Sequence, residues 1–257
     1  MSLPADWSPA GDLLAGRVVL VTGASRGIGR TAARTFAAHG ATVVAVARDV
    51  PALEALHDEI TGAGHPPPIL QGVDLTGVTE GDCRMLVEAI GAECGRLDAV
   101  LHNASLLGAR VPLAGYDATT WRQVIAANLD ACFLLTQAAL PWLEDAPAPR
   151  VLFTSSGAGL RPRAYWGAYA VSKAGVEALM RVFADEADNV SPVAFATLNP
   201  GGTRSDMRAA AFPGEDPQTL PTPEALMPLY LWLLGAAERE AVNGRAFDAR
   251  AELGIDR

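Results

Sequence analysis

The fold of this chain is decided by one short segment, RVVLVTGASRGIG (residues 17–29). Its first part, RVVLVT, is the apolar, β-branched run of a strand buried on both faces of a parallel sheet. Next comes a turn that contains three glycines, Gly23, Gly27 and Gly29. Residues 30–39 then show helical periodicity and stop at Gly40, a favourable helix end. The segment therefore predicts a strand, a glycine-rich turn and a helix in direct succession.

The alternation of strand and helix continues along the rest of the chain. Further strands are predicted at residues 41–47, 69–73, 97–102, 151–155, 192–198 and 246–248, and further helices at residues 51–61, 80–94, 119–143, 166–189 and 223–234. Repeated units of this kind form a parallel sheet that is covered by helices. The sequence therefore predicts an α/β fold, a Rossmann-type doubly wound parallel sheet of about seven strands with helices on both faces.

The chain shows no linker long enough to divide it. We therefore expect residues 1–257 to form one domain, with residues 1–15 as a tail before the first strand. The one long connection, residues 203–222, contains three prolines. Long connections in compact domains are often binding loops, so this one is expected to be a substrate loop.

Charge and cysteine content exclude several classes of function. The net charge of −9 argues against a protein that binds nucleic acid or an anionic membrane by electrostatics. The three cysteines show no metal-like clustering, so no metal site is predicted and reduced thiols are expected. The N-terminus does not resemble a signal peptide. The apolar runs at residues 131–143 and 226–237 are interrupted by proline and shorter than the roughly 20 residues of a membrane span. A soluble, cytoplasmic protein is expected.

The glycine-rich turn is in the position that a dinucleotide site requires, between a buried strand and a helix. Its glycines allow the backbone to approach a pyrophosphate, and the helix that follows offers free N–H groups and the positive end of its dipole. Three residues separate the first two glycines, whereas most dinucleotide folds have GxGxxG.

The charges near this turn predict which dinucleotide binds. An NAD site normally has an acidic residue at the end of the second strand, but here Ala47 is followed by Arg48. Arg26 lies inside the turn itself. Two guanidinium groups suit a ribose 2′-phosphate, so NADP(H) is predicted in preference to NAD(H). The alternatives are that Arg48 is solvated or is neutralised by Asp49.

A second informative stretch is VLFTSSGAGLRPRAYWGAYAVSK (residues 151–173). Tyr169 and Lys173 are four residues apart, so they share one helix face. A phenol with a pKa of about 10 is a poor acid at neutral pH, and a nearby ammonium lowers that pKa. Ser155 or Ser156, at the end of the preceding strand, could hold a substrate oxygen against the tyrosine. The alternative is an ordinary half-buried helix, since the YxxxK pattern is short.

Taken together, the motifs resemble the classical short-chain dehydrogenases/reductases over nearly the whole chain. They are TGASRGIG (22–29), Asp74-Leu75, Asn103-Ala104, Asn128, Ser156, Tyr169-x-x-x-Lys173 and Asn199-Pro200-Gly201. More narrowly, HNASLLG, NPGGTRSDMRA and MPLYLWLLG are similar to a YciK-like branch of that family.

The resemblance implies a role for each matching residue. Ser156 would hold the substrate oxygen, Tyr169 would be the acid or base, and Lys173 would lower its pKa and bind the nicotinamide ribose. Asn128 would hold a water that relays protons to Lys173. The cofactor would be bound by Gly23, Ser25, Arg26, Gly27, Ile28, Gly29, Arg48, Asp74, Leu75, Asn103, Ala104, Tyr169, Lys173, Pro200, Gly201, Thr203 and Ser205.

Three positions depart from the family pattern. His102 replaces an asparagine, and we expect it to make structural hydrogen bonds. Ser105 replaces a glycine that lets the backbone pass close to the cofactor ribose, and a positive φ there would be costly for serine. Ser205 stands where the family often has a threonine that contacts the nicotinamide amide, so a hydroxyl is retained.

The resemblance implies an NADP(H)-dependent oxidoreductase that moves hydride between nicotinamide and a carbonyl or secondary alcohol, acting on a small molecule as a homodimer or homotetramer. Two alternatives are open: a 3-oxoacyl thioester reductase, and a non-catalytic NADPH-binding sensor or scaffold. Five arginines fall in loops expected around the site mouth, where they would either bind an anionic substrate or be solvated: Arg110, Arg161, Arg163, Arg204 and Arg208. Trp166 would either line the substrate pocket or pack at a helix start.

Overall fold

A computed structural model describes residues 3–4 and 6–255. Its strands form one sheet in the order β3-β2-β1-β4-β5-β6-β7, and all neighbouring pairs are parallel. They are β1 (Val18–Thr22), β2 (Thr42–Ala47), β3 (Ile69–Gly72), β4 (Ala99–His102), β5 (Arg150–Thr154), β6 (Ala194–Asn199) and β7 (Arg245–Asp248). The order reverses between β1 and β4, where a crevice forms at the carboxyl ends of the strands. The predicted Rossmann-type sheet is confirmed.

Five long helices connect the strands: α1 (Gly27–Ala38), α2 (Val50–Gly62), α3 (Glu80–Cys94), α4 (Ala118–Glu144) and α5 (Gly167–Glu186). Shorter helical segments follow β5 and β6, at Gly157–Leu160 and Asp206–Ala211. Before β7, three short segments run in succession, Pro223–Leu226, Met227–Leu231 and Trp232–Ala236.

The core lies on both faces of the sheet because its strands are buried on both. In β1, Val19 and Val21 face the cluster formed with α1 and α2. Leu20 faces the opposite cluster, which α3, α4 and α5 cover. The expected N-terminal tail also contributes, since Leu14 is fully buried in the first cluster and its N–H bonds to the carbonyl of His39.

Helix α4 covers the helix predicted at residues 119–143, and Pro141 lies inside it. The helix is less regular than a sequence pattern can indicate. At Ala126–Asp130 the helix widens to a π turn, in which the Ala131 N–H bonds to the Ala126 carbonyl. The extra residue of such a turn changes the direction of the side chains around it, and π turns are frequent at functional sites.

The length of α4 also bears on the membrane question. Among the described residues, this helix alone is long and apolar enough to cross a bilayer, with an 18-residue window of mean hydropathy 1.4. Core helices pass the same test, and 44% of the window is buried inside the fold. Buried residues of α4, such as Leu135 and Leu143, pack in the cluster beneath the sheet.

Candidate active site

The glycine-rich turn after β1 lies directly against the segment after β4. Gly23 has a φ of +69°, and a Cβ atom there would lie 2.8 Å from the Cα of Ala104. Only glycine tolerates both this conformation and this approach. The hydroxyl of Thr22 fixes the two segments together, because it accepts hydrogen bonds from the N–H groups of Asn103 and Ala104 at 2.9 and 3.0 Å.

The N-terminus of α1 opens from this turn with the features of an anion site. Its first turn carries no acidic residue, and within residues 3–4 and 6–255 no side chain caps its N–H groups. Free N–H groups and the positive end of the helix dipole favour a phosphate. The close-packed glycine turn and the uncapped helix therefore fit the pyrophosphate of a dinucleotide.

A cleft of about 950 Å³ runs along the carboxyl edge of the sheet from this turn. Nearly all the residues predicted for cofactor and chemistry line it, although they come from distant parts of the chain. The exceptions are Gly29, which packs inside the turn, and Asn128. Those that line the cleft are Gly23, Ser25, Arg26, Gly27, Ile28, Arg48, Asp74, Leu75, Asn103, Ala104, Ser156, Tyr169, Lys173, Pro200, Gly201, Thr203 and Ser205.

The two arginines expected at the 2′-phosphate lie on the exposed rim of the cleft. Arg48 lies 3.8 Å from Asp74, and Arg26 lies 3.4 Å from Asp206. The pKa of Asp74 is lowered, chiefly because its carboxylate accepts a hydrogen bond from the Thr76 N–H and further because Arg48 is near. Asp49 instead caps α2, so Asp74 is the carboxylate beside Arg48.

Ser156, Tyr169 and Lys173 meet in the floor of the cleft. The Ser156 hydroxyl caps the short helix Gly157–Leu160 and is hydrogen-bonded to the Tyr169 side chain. The Lys173 Nζ donates to the carbonyl of Thr154 at 2.7 Å and lies 5.8 Å from the centre of the Tyr169 ring. Tyr169 and Lys173 are both buried. A hydroxyl pair above an ammonium is an arrangement that can polarise and protonate a carbonyl oxygen.

The electrostatics of this group differ from the sequence-based expectation. Burial raises the pKa of Tyr169, while the hydrogen bond with Ser156 opposes that rise. Burial lowers the pKa of Lys173 to about 8. The expected lowering of the tyrosine pKa by Lys173 is not seen, because burial of the phenol is the largest effect.

The structure separates the roles of the two neighbouring serines. Ser155 is buried, and its hydroxyl donates to the carboxylate of Glu177. The same carboxylate accepts from Thr197 on β6 at 3.0 Å. Glu177 thereby connects α5 to β6 and to the residue that follows β5. The hydroxyl of Ser155 has a structural role in this network. Glu177 was not among the residues predicted from the sequence, although it lies one helical turn after Lys173.

Asn128, in the π turn of α4, holds three segments together. Its side-chain oxygen accepts from the Leu106 N–H at 2.7 Å, and its amide group donates to the Leu106 carbonyl and to the Ser172 hydroxyl, at 2.9 and 3.0 Å. Ser172 directly precedes Lys173 on α5. The Asn128 side chain therefore makes three hydrogen bonds to protein groups, and it orients α5 and the segment after β4.

His102 and Ser105 stand at the two ends of the motif after β4. His102 is buried, stacks on Phe153 and is hydrogen-bonded to the Thr136 hydroxyl at 2.8 Å. Burial and the nearby Lys173 lower its pKa to about 3, so the imidazole is neutral. Ser105 is not among the described residues with positive φ, so its backbone does not have the strain that a positive φ would cause in serine. Its hydroxyl is buried without a hydrogen-bond partner among the described residues.

Trp166 and Phe212 line the outer wall of the cleft and, together with Arg110, form a cluster that we call the aromatic clamp. The Arg110 guanidinium carbon lies 4.4 Å from the centre of the Trp166 ring and 5.2 Å from that of Phe212. Arg110 also donates to the Ala211 carbonyl. The two rings are 5.8 Å apart, and Trp166 is 5.8 Å from the Tyr169 ring. Phe212 was missed because nothing in a proline-containing loop indicates what its aromatic residue contacts.

Most arginines at the mouth bond to the loops themselves. Arg208 forms a bidentate pair with Glu215, both distances being 2.6 Å, and lies over Phe212. Arg204 donates to the carbonyls of Pro217, Gln218 and Leu220. Ser205 caps the helix Asp206–Ala211 by accepting from the Arg208 N–H. These contacts all lie within the 203–222 segment and fix its conformation. Arg161 and Arg163, by contrast, are exposed.

Comparisons with known proteins agree with this geometry. The sequence model of one family, described as short chain dehydrogenase, matches residues 17–216. An oxidoreductase of Escherichia coli K12 named YciK, described as uncharacterized, is 46% identical over 244 residues, which cover 95% of this chain and 96% of YciK.

Solved structures show the same similarity. A short-chain dehydrogenase from Escherichia coli CFT073, complexed with NADPH, is 46% identical with a TM-score of 0.90, covering 94% of this chain and 100% of the other. One from Shigella flexneri 2a, complexed with NADP, is 45% identical with a TM-score of 0.90 and the same coverage. The chain therefore belongs to the short-chain dehydrogenase family, on its YciK-like branch, and is an NAD(P)-dependent oxidoreductase.

Proposed function

We propose that this protein is an NADP(H)-dependent oxidoreductase that interconverts a small carbonyl compound and its secondary alcohol. The observation that carries the proposal is the meeting of Ser156, Tyr169 and Lys173 in the floor of a cleft that begins at the glycine-rich turn. A protein that only binds the cofactor would have no evident need for this set, which is the argument against a sensor or scaffold.

The residues would act together at the substrate oxygen. Nicotinamide supplies the hydride when bound. In the reducing direction, the Tyr169 hydroxyl gives its proton to the oxygen as negative charge develops there, and the Ser156 hydroxyl donates a second hydrogen bond to the same oxygen. The high pKa of the buried phenol keeps it protonated at neutral pH, which suits an acid. In the oxidising direction the same phenol would have to lose its proton first.

Lys173 would connect this chemistry to the cofactor. One of its three N–H bonds is given to the Thr154 carbonyl, which leaves two for a ribose hydroxyl and for proton transfer. The Asn128 side chain is bonded to Leu106 and Ser172. A water relay to Lys173 would therefore use the remaining lone pair of the Asn128 side-chain oxygen or its backbone carbonyl.

The preference for NADP(H) over NAD(H) is supported by Arg26 and Arg48, which flank the cleft. Both side chains are more than half exposed. Their present partners, Asp206 and Asp74, are exposed carboxylates, and exposed ion pairs contribute little, so a 2′-phosphate can displace them at low cost. The related structures complexed with NADPH and NADP agree with this preference.

The substrate side of the cleft favours an apolar group next to the reacting carbon. Its lining includes Leu106, Leu107, Trp166, Met207 and Phe212. The nearest arginines are bonded to loop carbonyls or to Glu215, so they are poorly placed to recognise a carboxylate. We expect apolar ketones to be better substrates than short keto acids. Oligomerisation through the helices that carry Asn128 and Tyr169 also remains a prediction.

The test is cofactor oxidation against a panel of aliphatic and aryl ketones, aldehydes, diketones, keto acids and 3-oxoacyl thioesters, with Tyr169→Phe as the control. NADPH-dependent turnover that disappears in the variant would support the proposal. Faster turnover with NADH would contradict the role given to Arg26 and Arg48. Turnover confined to thioesters would favour the thioester reductase.

A further inference from the structure

The hydroxyl of Ser105 is a buried polar group at the edge of the cofactor cleft, and the described part of the chain offers it no partner. Its oxygen is almost inaccessible to solvent and makes no hydrogen bond with any described residue. The residue as a whole is only half-buried and belongs to the lining of the cleft. Leaving a buried hydroxyl unpaired destabilises the folded state, so its retention calls for an explanation.

The backbone around Ser105 is fixed on both sides. On one side the N–H of Ala104 donates to the Thr22 hydroxyl at 3.0 Å. On the other side both backbone groups of Leu106 bond to Asn128. The backbone therefore cannot shift to find the hydroxyl a partner, but the side chain can rotate among its staggered χ1 positions. Rotation of the side chain is the remaining route by which the oxygen can reach into the cleft.

A dinucleotide with its pyrophosphate at the glycine-rich turn and its nicotinamide ribose at Lys173 would pass this point. Ala104 is in contact distance of the glycine-rich turn, since a Cβ on Gly23 would lie 2.8 Å from its Cα atom. Lys173, the proposed partner of the nicotinamide ribose, lines the same cleft. A ribose hydroxyl both donates and accepts hydrogen bonds, as a serine hydroxyl does.

We propose that Ser105 is a cofactor-binding residue of this chain and that its hydroxyl bonds to a ribose hydroxyl of the bound nicotinamide dinucleotide. The proposal rests on the function proposed above. It reverses the expectation from sequence, in which serine in place of glycine is a cost to affinity. The unpaired hydroxyl costs stability in the free protein and is satisfied when the cofactor binds.

Two measurements on Ser105→Ala test this. Cofactor affinity, measured by fluorescence titration with NADPH, should fall about three- to tenfold, the value of one hydrogen bond. The stability of the cofactor-free protein to urea should be unchanged or higher, since alanine removes an unsatisfied group. Ser105→Gly should also lose affinity.

A matched control is Ser191→Ala, outside the cleft. The Ser191 hydroxyl accepts a hydrogen bond from the Val193 N–H at 3.3 Å. This variant should show the opposite result, with lower stability and unchanged affinity for NADPH.

The other outcomes overturn the proposal in distinguishable ways. Unchanged or tighter NADPH binding by Ser105→Ala, with normal binding by the wild type, would refute the role of Ser105 and leave the proposed function intact. Loss of stability in the free variant would show that the hydroxyl has a partner inside the protein. If the wild-type protein bound neither NADPH nor NADH, the proposed function and this inference would both be wrong.

Discussion

Among the cations that face aromatic rings, Lys173 lies in the floor of the cleft and Arg110 lies in the aromatic clamp at its outer wall. Lys173 is buried, lies 5.8 Å from the Tyr169 ring and bonds to the backbone of β5. Arg110 is exposed, lies 4.4 Å from the Trp166 ring and bonds to the backbone of a loop. The inner cation is held by elements of the sheet core, whereas the outer one joins two segments about 100 residues apart in sequence.

This difference suggests that the residues in the floor of the cleft carry out the chemistry and that those of the aromatic clamp recognise the substrate. The inner group is held by strand ends, the buried Glu177 carboxylate and the Asn128 side chain, so its geometry has little freedom. The clamp consists of surface contacts between loops, which tolerate change at a lower cost in stability. Substitutions in the floor should therefore change turnover, and substitutions in the clamp should change substrate affinity and choice.

The largest expected effect is on turnover in Tyr169→Phe. Loss of the acid should lower kcat by about 10²- to 10⁴-fold, the usual range for general acid–base catalysis. The Kd for NADPH should change less than about twofold, because phenylalanine keeps the ring. Steady-state kinetics with the best substrate of the panel, together with a fluorescence titration, measure both. Residual turnover above a tenth of wild type would contradict the role of Tyr169.

Lys173→Met should also lose turnover. Its stability relative to the wild type should depend on pH. Burial lowers the pKa of Lys173 from 10.5 in the unfolded chain to about 8 in the fold. Between those values the unfolded chain binds more protons, so this group makes the wild type more stable as pH rises. The variant should be more stable than the wild type at pH 7, and that advantage should shrink between pH 8 and about 10.

Urea unfolding of both proteins at several pH values measures this difference. A stability difference that does not vary with pH would mean that Lys173 keeps its ordinary pKa. The wild-type turnover should also decline above pH about 8, as the ammonium loses its charge.

A smaller effect is expected in the clamp, where Arg110→Ala should raise KM for apolar ketones by about three- to tenfold with little change in kcat. Arg110→Lys is the matched variant, because it keeps the charge but lacks the planar group that lies over both rings. If the stack matters, the lysine variant should resemble the alanine variant. A lysine variant equal to wild type would show that charge alone is needed.

The smallest effect on turnover is expected for His102→Asn, since His102 bonds to Thr136 away from the reacting atoms. Its pKa is about 3 in the fold against 6.5 when unfolded, so the histidine makes the wild type less stable as pH falls from 6.5 towards 3. Between pH 7 and pH 5 the variant should therefore lose less stability, by on the order of 1–2 kcal/mol. Thermal or urea unfolding at both pH values tests this, and an equal loss in both proteins would contradict it.

The sequence predicted most of the fold because its strongest signals are local. One such signal is the β-branched run before the glycine-rich turn, and another is the tyrosine four residues before a lysine. Each can be recognised from a few neighbouring positions in the sequence. The contacts of Phe212 and Glu177 join segments far apart in the chain, and no spacing reveals them. The resemblance had already favoured Ser156 over Ser155, but the role of Ser155 became clear only from the position of a buried carboxylate. The π turn in α4 was not predicted, because the residues of Ala126–Asp130 carry no pattern that distinguishes it from an ordinary helix.

The π turn in α4 makes the length of this helix as important as its composition. Deleting one residue from Ala126–Asp130 would restore an ordinary helix. The two parts of the helix would then be rotated relative to each other by about 100°, so the side chains either after the turn or before it would change direction. In the first case Leu135 and Leu143 leave the core, and in the second Asn128 loses Leu106 and Ser172. The number of residues in this turn is therefore fixed by two sets of contacts at once, those of the core leucines after it and those of Asn128 within it.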